Sequence, residues 1–296
     1  MKPSVGFLAI ALFPAAAFAA DAAQDWAYLT PSPDAPAPAA PPPPAGGAPA
    51  AAPAPQQGVP AIVAMGKGEM VRPCNTCHLP SGSGQPESAN LRGLPVNYFV
   101  AQMQAFRDGT RKGPRAGAMA GFAKGMTDED YKDVAAYYAG LKAAPWTVIS
   151  ESDVAPRTFV NRISQRLRLP EGGNEPVGPR IVEYAPNPGQ VRTANENAFL
   201  AFAPTGSLFR GGALVNTGAN GTTTACGTCH GSDLKGMGDV PAIAGRSPVY
   251  IARQLYTFKN NDRNGAAADQ MKAVVAKLSN DDIVAIGAYV GSRNPS

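Results

Sequence analysis

The sequence predicts an all-α protein: two tandem copies of one small helical domain, joined by a long irregular connector and preceded by a disordered Pro/Ala-rich linker. Three observations carry this expectation. The length of 296 residues accommodates two domains of about 100 residues each plus connecting segments. Adding 152 to a residue number maps one stretch onto another without an insertion: Gly93 onto Gly245, Tyr98 onto Tyr250, Gln102 onto Gln254, Phe106 onto Phe258, Met119 onto Met271 and Tyr137 onto Tyr289. Each copy also ends in an amphipathic segment behind a helix-capping residue.

Taken in order, residues 1–19 have the layout of a secretory signal: Lys2, an apolar run from Val5 to Phe18, and the small-residue site Ala17-Phe18-Ala19. Residues 20–59 form the flexible segment, dominated by Pro, Ala and Gly, with Trp26 and Tyr28 before its densest part. The first domain is placed at 60–145, the connector at 146–200 and the second domain at 201–296. Helices are expected over 61–70, 95–107, 208–216 and 248–259. A further pair starts at the caps Thr127 and Ser279, with acid in the first turn and Tyr131, Val134, Ala135 and Tyr138, or Ile283, Ile286 and Val290, on one face. The connector has no sustained periodicity, although Ile181 to Tyr184 reads as a short strand.

All four cysteines and both histidines fall in two Cys-x-x-Cys-His units, Cys74, Cys77, His78 and Cys226, Cys229, His230, at the repeat spacing. Two thiols three positions apart can add to the two vinyl groups of one haem, and the adjacent histidine then reaches the iron as proximal ligand. Two covalently bound haem c groups are therefore expected. A thioredoxin-like dithiol needs a βαβ context that is missing. A zinc site needs four close ligands, and each unit offers three. Plain disulfides leave the repeated histidine unexplained.

The sixth iron ligand follows by elimination, because no third histidine exists and methionine is the usual alternative. Met119 and Met271 each lie 41 residues after their histidine, just before the capped helix. Met103 and Met126 read as core filler, and Met237 is too near His230 in sequence to cross the ring. For the carbonyl that orients each proximal imidazole, Pro241 and, at a different spacing, Pro86 are the candidates. Tyr98, Phe106, Tyr250 and Phe258 are placed either along the haem crevices or in ordinary packing.

These motifs, together with Tyr137 and Tyr289 in the final helices, resemble the dihaem class I cytochromes c, over roughly 180 of the 296 residues. The resemblance implies two tandem class I cytochrome c domains in which the first and last helices cross beside the haem, and a shuttle for electrons in the periplasm. The long connector and the Pro/Ala segment depart from that pattern.

Two closed, six-coordinate irons point to single-electron transfer between a donor, a dehydrogenase or quinol-oxidising complex, and a terminal acceptor, with no catalytic residue. The rival readings are a cytochrome subunit of a dehydrogenase complex and a dihaem peroxidase, which uses an extra histidine that this chain lacks. Basic and acidic side chains number 26 and 22, and four propionates would bring the holoprotein close to neutrality, which speaks against a nucleic-acid partner. Docking of redox proteins is expected at Arg107, Arg111, Lys112 and Arg115, and more sparsely at Lys259 and Arg263, the alternative being a solvated basic loop. The expected location is the periplasm, with a membrane engaged only through a partner or an uncleaved signal.

Overall fold

The computed structural model describes residues 58–161 and 165–296. The expected signal and nearly all of the Pro/Ala-rich segment lie outside the described residues. The first set of helices is α1 (Ala61–Met65), α2 (Asn75–His78), α3 (Val96–Arg107), α4 (Ala116–Lys124) and α5 (Asp128–Ala139). The second set repeats it as α6 (Ser207–Thr217), α7 (Gly227–His230), α8 (Pro248–Lys259), α9 (Ala266–Val275) and α10 (Asn280–Gly291). No described helix is long and apolar enough to cross a membrane.

The C-terminal helices begin where their caps dictate. Thr127 and Asp130 form a reciprocal capping box at α5, and Ser279 and Asp282 form the same box at α10. Each box satisfies two backbone donors that a helix start otherwise leaves unpaired. Tyr131, Val134, Ala135 and Tyr138 of α5 are buried, and Ile283, Ile286 and Val290 of α10 likewise face the core. In the second copy α6 packs directly against α10. That crossing depends on Gly211, where a Cβ would lie 2.2 Å from the Ala285 carbonyl oxygen, so any larger residue forces the helices apart.

The segment between the two helical sets departs from the all-α expectation. Its described residues contain seven short strands: β1 (Thr147–Glu151), β2 (Val154–Pro156), β3 (Thr158–Val160), β4 (Arg166–Arg168), β5 (Asn174–Pro176), β6 (Val182–Tyr184) and β7 (Phe199–Ala203). They form a three-stranded sheet in the order β1-β7-β6, with β1 and β7 parallel, and two antiparallel pairs, β2-β5 and β3-β4. The expected strand near Ile181 is β6. Strand alternation in β7 directs Ala201 and Ala203 into the second helical core and Leu200 and Phe202 against the connector's own cluster of Ala155, Val177, Val182 and Tyr184. The connector is thus an ordered β unit welded to the second helical set.

Glu183 on β6 is the polar centre of that weld. One carboxylate oxygen accepts from the Thr147 hydroxyl at 2.8 Å, and the other accepts from the Ser247 hydroxyl at 2.6 Å and the Val249 amide at 3.3 Å. Burial outweighs these three donors and pushes its pKa up to about 7. The folded protein therefore holds a proton here that the unfolded chain releases at an ordinary carboxylate pKa. Stability from this group is fully present below the unfolded value and is lost as the pH rises to about 7. Glu183→Gln is expected to flatten that slope: thermal melts followed by far-UV circular dichroism should lose up to about 3 kcal/mol of stability between pH 5 and pH 8 in the wild type, and markedly less in the variant.

Candidate functional site

In each copy the Cys-x-x-Cys-His peptide closes as one helical turn, with the His78 amide donating to the Cys74 carbonyl and the His230 amide to the Cys226 carbonyl, both at 3.0 Å. Positions i, i+3 and i+4 of such a turn share a face, which places two thiols and an imidazole side by side. The four cysteines are unbridged; Cys77 and Cys229 are exposed, and Cys74 and Cys226 are half-buried. Burial pushes the Cys74 and Cys226 thiols up to about 11, the opposite of the depression that a dithiol redox centre requires.

Both imidazoles are oriented by a backbone carbonyl eleven residues downstream. His78 Nδ1 lies 2.7 Å from the Ala89 oxygen, and His230 Nδ1 lies 2.8 Å from the Pro241 oxygen. Pro241 was the expected partner, whereas Pro86 was not the right one in the first copy. Ala89 is the residue 152 positions before Pro241, and what the site needs is a carbonyl at that place rather than a proline ring. Burial lowers the pKa of both histidines, opposed by the carbonyl bond. A neutral ring that donates from Nδ1 leaves Nε2 as the coordinating nitrogen.

Met119 lies in α4 and Met271 in α9, helices that the sequence did not disclose. Each is partly buried against its own core, in the cluster that also holds Cys74 or Cys226. Met103 and Met126 are buried among the first core's apolar side chains, and Met237 is 58% exposed.

The structure adds a feature that sequence reasoning missed. Arg111 and Arg263, expected at an exposed docking edge, face each other across the contact between the two helical sets, in an antiparallel bridge. Each stacks on the phenylalanine of its own copy, Arg111 on Phe106 and Arg263 on Phe258, with 4.4 and 4.1 Å from guanidinium carbon to ring centroid. Each also donates across the interface: Arg111 to Gln254 at 2.9 Å and Arg263 to Gln102 at 2.6 Å, while the same glutamines accept from the arginine of their own copy at 3.2 and 2.8 Å. The repeat spacing of Gln102 and Arg111 was the available signal, but nothing in one sequence said that the copies meet there. Arg246 is buried nearby and donates to the backbone of Asn90 and Arg92.

Arg111, Arg246 and Arg263 have no ion pair among the described residues. Burial lowers the pKa of Arg246 and Arg263, in the latter with help from Arg111. Burial would raise the Tyr98 phenol, but the Arg263 and Arg111 charges and a hydrogen bond from Arg263 hold it below its usual range. Buried cations without anions are costly. Carboxylates brought by a cofactor would complete this cluster, so the charge distribution and the imidazole geometry both fit a haem with propionates.

Repeated Cys-x-x-Cys-His turns, carbonyl-tethered imidazoles and two like helical sets define the class: a two-domain c-type cytochrome. Residues 61–137 and 213–290 match the family described as cytochrome c oxidase, cbb3-type, subunit III, and the chain belongs to this family through two tandem copies of its cytochrome domain. Cytochrome c4 of Azotobacter vinelandii is 28% identical over 229 residues, spanning 73% of this chain and 82% of that protein. The thiosulfate dehydrogenase electron acceptor of Thiomonas intermedia (strain K12) is 24% identical over 223 residues, spanning 74% and 78%. The crystal structure of reduced recombinant cytochrome c4 from Pseudomonas stutzeri shares the fold, with a TM-score of 0.50 and 22% identity over 75% of this chain and 93% of that one. The chain is an electron-transfer protein with two covalently bound haem c groups.

Because the two arginines share two acceptors, their contributions are coupled. Arg111→Gln and Arg263→Gln are each expected to cost about 2 kcal/mol in urea unfolding, and the double variant should cost less than their sum by about 0.5 kcal/mol or more. Strict additivity would mean that the network does not join the two domains.

Proposed function

We propose that this protein is a periplasmic shuttle that relays single electrons from a dehydrogenase to a terminal acceptor, with a first domain at 60–145 and a second at 201–296. Cys74 and Cys77 attach the first haem, ligated by His78 and Met119. Cys226 and Cys229 attach the second, ligated by His230 and Met271. A bound haem supplies the iron that cycles between ferric and ferrous.

The observation that carries this reading is the repetition of one constellation, down to the carbonyl behind each imidazole. The tether keeps each imidazole in one tautomer and one orientation, so the ligand does not reorganise when the charge changes. Met119 and Met271 would each supply a thioether ligand, which would fill the remaining position and raise the potential. Neither domain then retains an open position for peroxide or oxygen, which sets the peroxidase reading aside. The buried guanidiniums of Arg246 and Arg263 at the domain contact would hold the haem carboxylates.

A dehydrogenase as donor is supported by the relative named as a thiosulfate dehydrogenase electron acceptor. The docking surface is the basic loop beside α3 and α4, narrowed by the geometry. Arg107 pairs with Asp108 and Asp128 and Arg111 is engaged between the domains, while the Lys112 side chain is exposed to solvent. Export rests on the leader-like residues 1–19.

Replacing one methionine at a time tests the ligand set. In spectroelectrochemical titrations, Met119→Gln and Met271→Gln should each lower a different one of two one-electron potentials, by on the order of 100 mV within the roughly 0.8 V range that axial ligands command. If both variants leave both potentials in place, neither methionine is a ligand.

A further inference from the structure

The connector does not treat the two attachment peptides alike. Leu79 directly follows His78, and its counterpart 152 positions on is Gly231. Both adopt nearly the same backbone, φ 64° and ψ 158° at Leu79 against φ 83° and ψ 150° at Gly231. That region is open to glycine and strained for any residue with a Cβ. A leucine persists there only if its surroundings hold it, and the surroundings are the connector: Leu79 is 2% exposed, packed among Trp146, Ala185, Val191 and Phe199.

Two connector side chains, Trp146 and Arg192, reinforce the grip with hydrogen bonds. The Trp146 indole donates to the Gly84 carbonyl at 3.0 Å, and the Gly84 amide donates to the His78 carbonyl at 3.0 Å. Arg192 donates to the carbonyls of Asn75 and Thr76, the two residues between the cysteines, at 3.3 and 3.5 Å. No residue from His78 to Asn90 is exposed, whereas Ser232, Asp233, Lys235, Met237 and Asp239 of the matching loop are; the connector shares that cover with Arg246 and Arg253 of the second helical set, which donate to the carbonyls of Asn90, Pro86 and Glu87.

We propose that Leu79 is a positioning residue for the first haem: through it the connector grips the proximal peptide, holds His78 against the Ala89 carbonyl, and sets the potential of the first site apart from that of the second. This rests on the ligation by His78 proposed above. A firm Nδ1 hydrogen bond makes the imidazole more basic and so favours ferric iron. Loosening the grip weakens that bond and raises the potential of the first site alone. The second site has Gly231 in place of the leucine, and no such anchor reaches it among the described residues.

The test uses the holoprotein in three variants. Leu79→Gly removes the side chain while relieving the backbone, and Trp146→Phe and Arg192→Ala each remove one hydrogen-bonding side chain and leave Leu79 in place, so the test does not depend on one variant folding. Potentiometric titration should show one of the two potentials rising in all three. At the wild-type midpoint of that site the ferrous fraction should exceed the ferric about threefold in Leu79→Gly, about 30 mV at 59 mV per tenfold. The other potential should stay in place, and the Gly84 amide should exchange with deuterium more than tenfold faster. The affected wave must be the one that Met119→Gln lowers. Unchanged potentials, a common shift of both, or a shift in the wave that Met271→Gln lowers would overturn the proposal. If Met119→Gln lowers neither wave while Leu79→Gly still raises one, the methionine assignment fails and the grip on His78 stands.

Discussion

The short hydrogen bond between each proximal imidazole and a carbonyl eleven residues downstream is the constraint on which the rest of the structure depends. It requires the chain after each Cys-x-x-Cys-His turn to fold back over the histidine. The glycines at 84 and 236 allow this, with φ of 71° and 89°, and their amides close onto the histidine carbonyls. Once that loop is set, α3 and α8 begin where it ends, the capped helices pack across them, and each methionine is delivered on the helix in between.

Joining two such units raises an electrostatic problem that the fold solves with repeated residues. The Arg111 and Arg263 guanidiniums approach across the interface, each supported by its own phenylalanine and by both glutamines. Neutral acceptors and aromatic faces orient the cations but do not neutralise them. The apoprotein therefore carries buried positive charge at the domain contact, which the carboxylates of bound haems would balance.

Much of this was legible in the sequence, for definite reasons. The constant offset of 152 paired the two sites, and the capped helices were readable because Thr127 and Ser279 are followed at the right interval by Asp130 and Asp282. The connector was not readable as a β unit. Its strands are mostly three residues long, too short for alternation to emerge, and its longest pair joins β1 to β7 across some fifty residues. The docking role expected for Arg111 changed for a related reason: a charged residue between turn signals looks solvent-facing until the second copy is seen to cover it. Pro86 was singled out because a ring is conspicuous in sequence, whereas the backbone carbonyl of Ala89 leaves no trace in it.

Closure of both irons by strong ligands on both sides is what separates an electron carrier from an enzyme of similar haem content. The decisive measurement is the absorption spectrum of the fully reduced holoprotein, recorded before and after addition of carbon monoxide. Superimposable spectra are expected if, as proposed, His78 with Met119 and His230 with Met271 are the ligand pairs, because such pairs would leave no position for the gas. A shift in any part of the Soret band would contradict that closure, by showing that at least one iron is open or loosely held.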